Sequence, residues 1–188
     1  SLLPRVTTRF LSSRPNVSVF VQSLPSRQVA DLVATRQFDI GLIELPMARP
    51  SISVEPLVPA RSVAVIPANH RLASKKQISV KDLAGERMVL LSQHSFLRYQ
   101  IDDAFSKLGV VPHVVLETPH SNIACAFAAA GAGITLVSHW AAESFSGPNV
   151  VVRPVKEELT SRSAIIFPYP GARLMLAEAF AKEIKEEI

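Results

Sequence analysis

The sequence predicts an α/β fold, and three observations carry that prediction. Amphipathic helix patterns and apolar strand patterns alternate at the start of the chain and again in its middle. The run Phe38-Asp39-Ile40-Gly41-Leu42-Ile43 follows a helical pattern and stops at Glu44-Leu45-Pro46, which is half of an α/β unit. The 188 residues are 48% hydrophobic, enough to bury a sizeable core in one domain or two small lobes. In open α/β sheets ligands sit beyond the carboxyl ends of strands, so Glu44 stands where a bound molecule would be.

The elements follow in order. Leu3, Val6, Phe10 and Leu11 have helical spacing over Ser1 to Ser12, with Pro4 suited to a first turn. Val17 to Gln22 is β-branched and reads as a strand. Ser23-Leu24-Pro25-Ser26 is a turn with Ser26 as N-cap, and Val29, Leu32 and Val33 line a helix ending near Gln37. The strand Asp39 to Ile43 comes next, so helix, strand, helix, strand predicts parallel pairing through a crossover. Ser62 to Pro67 is apolar between its ends, as in a strand buried on both faces. Asp82 to Gly85 reads as a helical turn with a glycine stop. Met88 to Leu91 is a strand, and Tyr99, Ile101, Phe105 and Leu108 form a helix closed by Gly109. Val114 to Leu116 is a strand, Ser121 or Asn122 caps an Ala-rich helix to Ala130, and Ile134 to Val137 is a further strand. Ser163 to Phe167 is the last strand, and Arg173 to Ile188 the last helix, with Leu176, Phe180 and Ile184 on one face. If that helix returns to the first lobe, strands near Ser62–Pro67 and Ser163–Pro168 cross between lobes and leave a cleft.

Composition excludes several function classes. Cys125 is the single cysteine, so no internal disulfide forms and a reducing cytoplasm is the default. The longest apolar stretch, Ile123 to Val137, is interrupted by Gly131 and Gly133 and is too short to span a bilayer. The formal charge is +4, yet Lys and Arg are scattered and aromatics make up only 6%, which disfavours a nucleic-acid platform. No Gly-x-Ser-x-Gly elbow or phosphate-binding glycine loop occurs. Asp102 and Asp103 are adjacent on a helix and diverge. His70, His94, His113, His120 and His139 lack metal-ligand spacing, so neither catalytic residues nor a metal or cofactor is expected.

Short runs in a definite order resemble the effector-binding domain of LysR-type transcriptional regulators. They are Leu2-Leu3-Pro4-Arg5, Phe10, Pro15, Asp39-Ile40-Gly41, His70-Arg71-Leu72-Ala73, Asp82 to Glu86 and Ala129 to Ile134. Ile40 to Pro46, Arg98 to Asp102 and Glu117 to Ser121 are similar to the opine-responsive members, the regulators of nopaline and octopine catabolism. The resemblance implies two periplasmic-binding-protein-like α/β subdomains joined by two crossing strands, with an effector cleft between them. Residues 1–66 and 164–188 would form subdomain I and residues 67–163 subdomain II. It further implies that the family's first strand, its winged helix-turn-helix and its linker helix are not in this chain. DNA would then be contacted only through that N-terminal domain. A homo-oligomer, dimeric for this domain and tetrameric at full length, with no membrane contact, is the family expectation.

Candidate ligand residues cluster at strand ends. Ser23 and Ser26 flank Pro25 at a helix start, where hydroxyls and free N–H groups hold a carboxylate, although a plain N-cap uses the same residues. Glu44 would pair with a guanidinium or ammonium group, the alternative being a surface carboxylate before a proline turn. Ser92, His94, Ser95 and Phe96, together with Gln93, occupy the second lobe's strand-to-helix loop. There they offer polar groups and an apolar wall, or alternatively N-caps and one core aromatic. Arg98 suits bidentate carboxylate binding, against a solvated arginine in a first turn. Ser121 and Asn122 open the next helix, and Trp140 stacks on a planar guanidinium or else fills the core. The expected function is effector sensing, with an amino-acid-derived small molecule, an opine on the narrower resemblance, as partner. A solute-binding or transport protein of the same architecture is the alternative.

Overall fold

A computed structural model describes residues 2–145 and 147–188, so Ser1 of the predicted first helix lies outside the described residues. In chain order the main elements are α1 (Leu2–Ser12), α2 (Ser26–Ala34), β1 (Gly41–Glu44), β2 (Ile52–Pro56) and β3 (Ala60–Pro67). There follow β4 (Arg87–Leu91), α3 (Phe96–Ser106), β5 (His113–Thr118), α4 (Ser121–Ala129), β6 (Thr135–Ser138) and α5 (His139–Ala142). The chain closes with β7 (Val150–Pro154), β8 (Thr160–Ser161), β9 (Ser163–Pro168) and α6 (Met175–Glu186). It divides into unit 1, Ser1–Pro59 with Arg162–Ile188, and unit 2, Ala60–Ser161.

In unit 1 the strand order is β1-β9-β2, antiparallel throughout. The parallel pairing expected of β1 therefore does not occur: β9, arriving from the far end of the sequence, runs between β1 and β2. The predicted strand Val17 to Gln22 is also corrected. Those residues belong to no sheet, because no neighbouring strand receives their hydrogen bonds. Helix α6 packs on α1 through an edge-on contact of Phe10 and Phe180, whose ring centroids are 5.0 Å apart. Arg9 and Arg14 of that corner reach Glu183 at 3.3 and 3.0 Å. Gly41 is required at the start of β1, since a Cβ there would lie 2.7 Å from Val29 Cγ1 and 3.0 Å from Ile166 Cγ1.

Unit 2 buries the larger core, including Met88, Leu90, Leu97, Ile101, Phe105, Ile134 and Leu136. Strand β3 is buried as its apolar run predicts, but its neighbours β6 and β7 are antiparallel. Strands β4 and β5 pair in parallel, joined by the crossover helix α3. Helix α3 begins at Phe96 and its following turn closes with Gly109 at φ 67°, a conformation glycine adopts without strain. Strands β2, β7 and β8 carry no sequence prediction; each is short and half-exposed, and β7 and β2 include prolines.

Candidate functional site

Unit 1 brings two predicted residues together. Glu44 ends β1, half-buried, and its backbone N–H donates to the Ser26 hydroxyl at 3.0 Å. Ser26 is the first residue of α2, and Pro25 takes the N-cap position, so the predicted capping role of Ser26 is replaced by this tie to the strand end. The tie holds the start of α2 against the carboxylate-bearing end of β1. Ser23 sits exposed in the loop just before it.

Unit 2 gathers a second cluster at the carboxyl ends of its parallel strands. The Ser92 N–H donates to the Thr118 carbonyl at 3.1 Å, which joins the loop after β4 to the end of β5. Helix α3 starts directly beyond, with Ser95 at its N-cap, and α4 starts with His120 at its N-cap. Neither N-cap side chain makes a capping hydrogen bond, and Ser121 and Asn122 are inside the helix rather than capping it. Two helix N-termini at one sheet end present N–H groups and positive dipole ends, the arrangement that favours an anion or carboxylate. Ser92, Ser95, Phe96 and Ser121 are half-buried there, while His94 and Asn122 are exposed. Phe96 stacks on Tyr99 at a centroid distance of 6.2 Å.

Arg98 is placed differently from a ligand-facing arginine. It is only 5% exposed. Its Nη1 donates to the Leu91 carbonyl at 2.8 Å, its Nε to Asp102 at 3.0 Å, and Nη1 reaches Glu117 at 3.1 Å. Burial lowers its pKa, but hydrogen bonds to Asp102 and Glu117 outweigh that and raise it above the ordinary value. The guanidinium thus ties α3 to β4 and β5. Trp140 is half-buried in α5, in ring contact with His139 at 4.3 Å, and His139 Nδ1 lies 3.2 Å from the Arg61 carbonyl.

Two residues of this region escape sequence reading. Thr118 is buried at the end of β5, its hydroxyl 3.4 Å from the His120 N–H. Gln100 donates to the Thr160 carbonyl at 2.7 Å and accepts from the Thr160 N–H at 3.0 Å, so its amide acts as a strand neighbour for β8. The end of a strand pattern marks Thr118; no local signal marks a partner 60 residues away. Among the described residues, no group of three or more His, Cys, Asp or Glu is gathered to hold a metal. No described helix is long and apolar enough to cross a membrane.

Comparison with known proteins adds relatives and a fold. The chain is 31% identical over 168 residues to "Regulatory protein NocR" of Agrobacterium tumefaciens (strain T37), covering 89% of the chain and 56% of that protein. It is 28% identical over 181 residues to "Octopine catabolism/uptake operon regulatory protein OccR" of Rhizobium meliloti, covering 96% of the chain and 59% of that protein. The chain thus spans little more than half the length of these relatives. The regulatory domain of Synechocystis PCC6803 CcmR, solved in complex with 2-PG, superposes with a TM-score of 0.80. The superposition covers 98% of this chain and 89% of that one at 18% identity, and it shows the periplasmic-binding-protein-like α/β fold of LysR effector domains. The LysR substrate binding domain family matches residues 1–188, and the chain belongs to that family.

Proposed function

We propose that this chain is the effector-sensing part of a LysR-type transcriptional regulator and that its effector is an opine-like amino-acid derivative. The observation that carries the reading is the chemistry at the strand ends. Unit 1 offers the Glu44 carboxylate beside the start of α2. Unit 2 offers two adjacent helix starts with half-buried serines. A carboxylate suits a guanidinium or ammonium, and helix N-termini suit carboxylates, which are the groups an arginine-derived opine carries. The name of OccR, which prints octopine catabolism, agrees with such an effector class, and both relatives are named as regulatory proteins. They also favour regulation over the solute-transport alternative.

In this reading the chain binds rather than catalyses, within the cytoplasm. DNA is contacted by a winged helix-turn-helix outside residues 1–188, in a homo-oligomer. The effector shifts transcription only through unequal affinity for two arrangements of the protein. Ser23, Ser26 and Glu44, and Ser92, His94, Ser95, Phe96, Ser121 and Asn122, are proposed contacts. Arg98 supports the site by holding α3, and Trp140 remains a proposed stacking partner for a planar guanidinium.

Calorimetric titration with nopaline, octopine, arginine and a simple dicarboxylate tests the proposal. Saturable binding of one opine, with arginine much weaker, is expected. A folded sample that binds none of them overturns the opine assignment. Glu44→Ala is expected to weaken opine binding by about 1.5–3 kcal/mol, as for a hydrogen bond to a charged group.

A further inference from the structure

We infer that Ser62 and Ser138 of unit 2 form a further subsite, one that takes a carboxylate oxygen of the effector. The inference deepens the effector reading and rests on it for the identity of the bound molecule.

Among the described residues, two buried side-chain hydroxyls have no hydrogen-bond partner, those of Ser62 and Thr135. Buried hydroxyls are nearly always bonded, so each such group calls for a cause. Thr135 is fully enclosed and stands opposite the apolar Val65 in the pairing of β3 with β6. Ser62 differs. It is 4% exposed, and its cross-strand partner is another hydroxyl, that of the half-buried Ser138. Directly opposed residues of an antiparallel pair share one face, with Cβ atoms about 4.5–5.5 Å apart. The Ser62 N–H donates to the Leu159 carbonyl at 2.9 Å, away from β6, which marks the closer, non-hydrogen-bonded kind of pair. The two hydroxyls do not bond each other, yet one oxygen between them would lie within hydrogen-bond reach of both, at about 2.7 Å from each.

The pair is set to donate. The Ser138 oxygen accepts the Ala141 N–H at 3.3 Å, which leaves its own proton for a second acceptor. The Ser62 proton has no acceptor in the fold. Two donors that converge on one point suit an oxygen, and a charged carboxylate oxygen most of all. Position agrees with chemistry. Met88 bridges Ile134 in parallel, so β6 runs with β4, and Ser138 at its carboxyl end lies at the same end of unit 2 as Ser92 and Ser95. Strand β3 runs antiparallel to β6, which brings Ser62, near its amino end, to that end as well. The half-buried Ser138 gives the pair its opening to solvent. The two hydroxyls thus add a carboxylate contact separate from the N-termini of α3 and α4, and an opine carries more than one carboxylate.

The test compares the wild-type chain with Ser62→Ala in three measurements: the urea midpoint without ligand, calorimetric titration with nopaline and octopine, and the urea midpoint in succinate. Deleting a hydroxyl without a partner leaves the fold intact, so the midpoint without ligand is expected to be unchanged or raised. Affinity for the tighter opine is expected to fall by about tenfold or more, as for a hydrogen bond to a charged group. Succinate is expected to raise the midpoint of the wild type and not that of Ser62→Ala. A lower midpoint without ligand overturns the proposal, because the hydroxyl then serves the fold through a resident water. Opine binding that is equal in both proteins overturns it while the effector reading stands. If the wild type binds neither opine, the opine reading falls and succinate decides the subsite. Stabilisation lost in Ser62→Ala upholds it, and equal or absent stabilisation overturns it.

Discussion

The hydroxyl of Ser26 accepts the backbone N–H of Glu44 at 3.0 Å, fastening the first turn of a helix to the last residue of a strand 18 positions later. The residue that positions the candidate carboxylate is therefore held by a neighbour with no role in its charge. Removing that acceptor leaves a half-buried N–H to find water. Ser26→Ala is expected to destabilise the fold by about 1 kcal/mol, read as a lower urea midpoint at unchanged m-value.

Arg98 is expected to report on stability first. Its donors meet Leu91, Asp102 and Glu117, and both carboxylate partners remain partly exposed, so they rehydrate when it is lost. Arg98→Met keeps the apolar stem and is expected to cost about 2 kcal/mol in chemical denaturation. A variant of unchanged stability would show that the ties to Leu91 and Glu117 contribute nothing.

Gly41 admits no side chain. A methyl group there meets Val29, Val33 and Ile166 at 2.7 to 3.1 Å, all within the packed interior of unit 1. Gly41→Ala is expected to destabilise by about 1–3 kcal/mol, the usual range for overpacking, and thermal unfolding measures it. Shortening the neighbour, in the double variant with Val29→Ala, is expected to recover part of that loss.

Glu55 gives the fold a pH dependence. Burial raises its pKa, but hydrogen bonds from Lys185 and Arg173 outweigh burial and leave it below the ordinary carboxylate value. A carboxylate depressed on folding contributes stability that is present above its unfolded pKa and lost as pH falls through the folded one. Glu55→Gln is expected to destabilise the protein at neutral pH and to flatten the stability loss below about pH 4, the range of an unperturbed glutamate. Parallel acid titrations of the two proteins, followed by circular dichroism, check this.

The alternation of helices and strands was legible because it is written in local periodicity. The runs from Met88 to Leu91 and from Tyr99 to Phe105 correspond to β4 and α3 within a few residues. Strand direction was not legible. The partner of β1 is β9, more than 100 residues away, and nothing near Gly41 encodes that neighbour. Val17 to Gln22 shows the same limit from the other side: β-branched residues favour extension, but a strand exists only where another edge receives its hydrogen bonds. Among the candidate residues, Glu44 and Ser26 were legible as strand end and helix start, and their hydrogen bond was not. Arg98 was legible as a charge suited to carboxylates. That those carboxylates are the protein's own Asp102 and Glu117 follows from the packing of α3 on β4 and β5.

The paired hydrogen bonds between Gln100 and Thr160 give α3 a mechanical reach beyond its own surroundings. The same helix begins at the Ser95 end, where an anion would settle, and is clipped one turn later to a residue only two positions before the chain passes into unit 1 at Arg162. Any movement of α3 is thereby passed through two hydrogen bonds to the backbone of Thr160 in β8. Gln100→Leu removes both bonds and is expected to free the Thr160 backbone, read as faster amide exchange in β8.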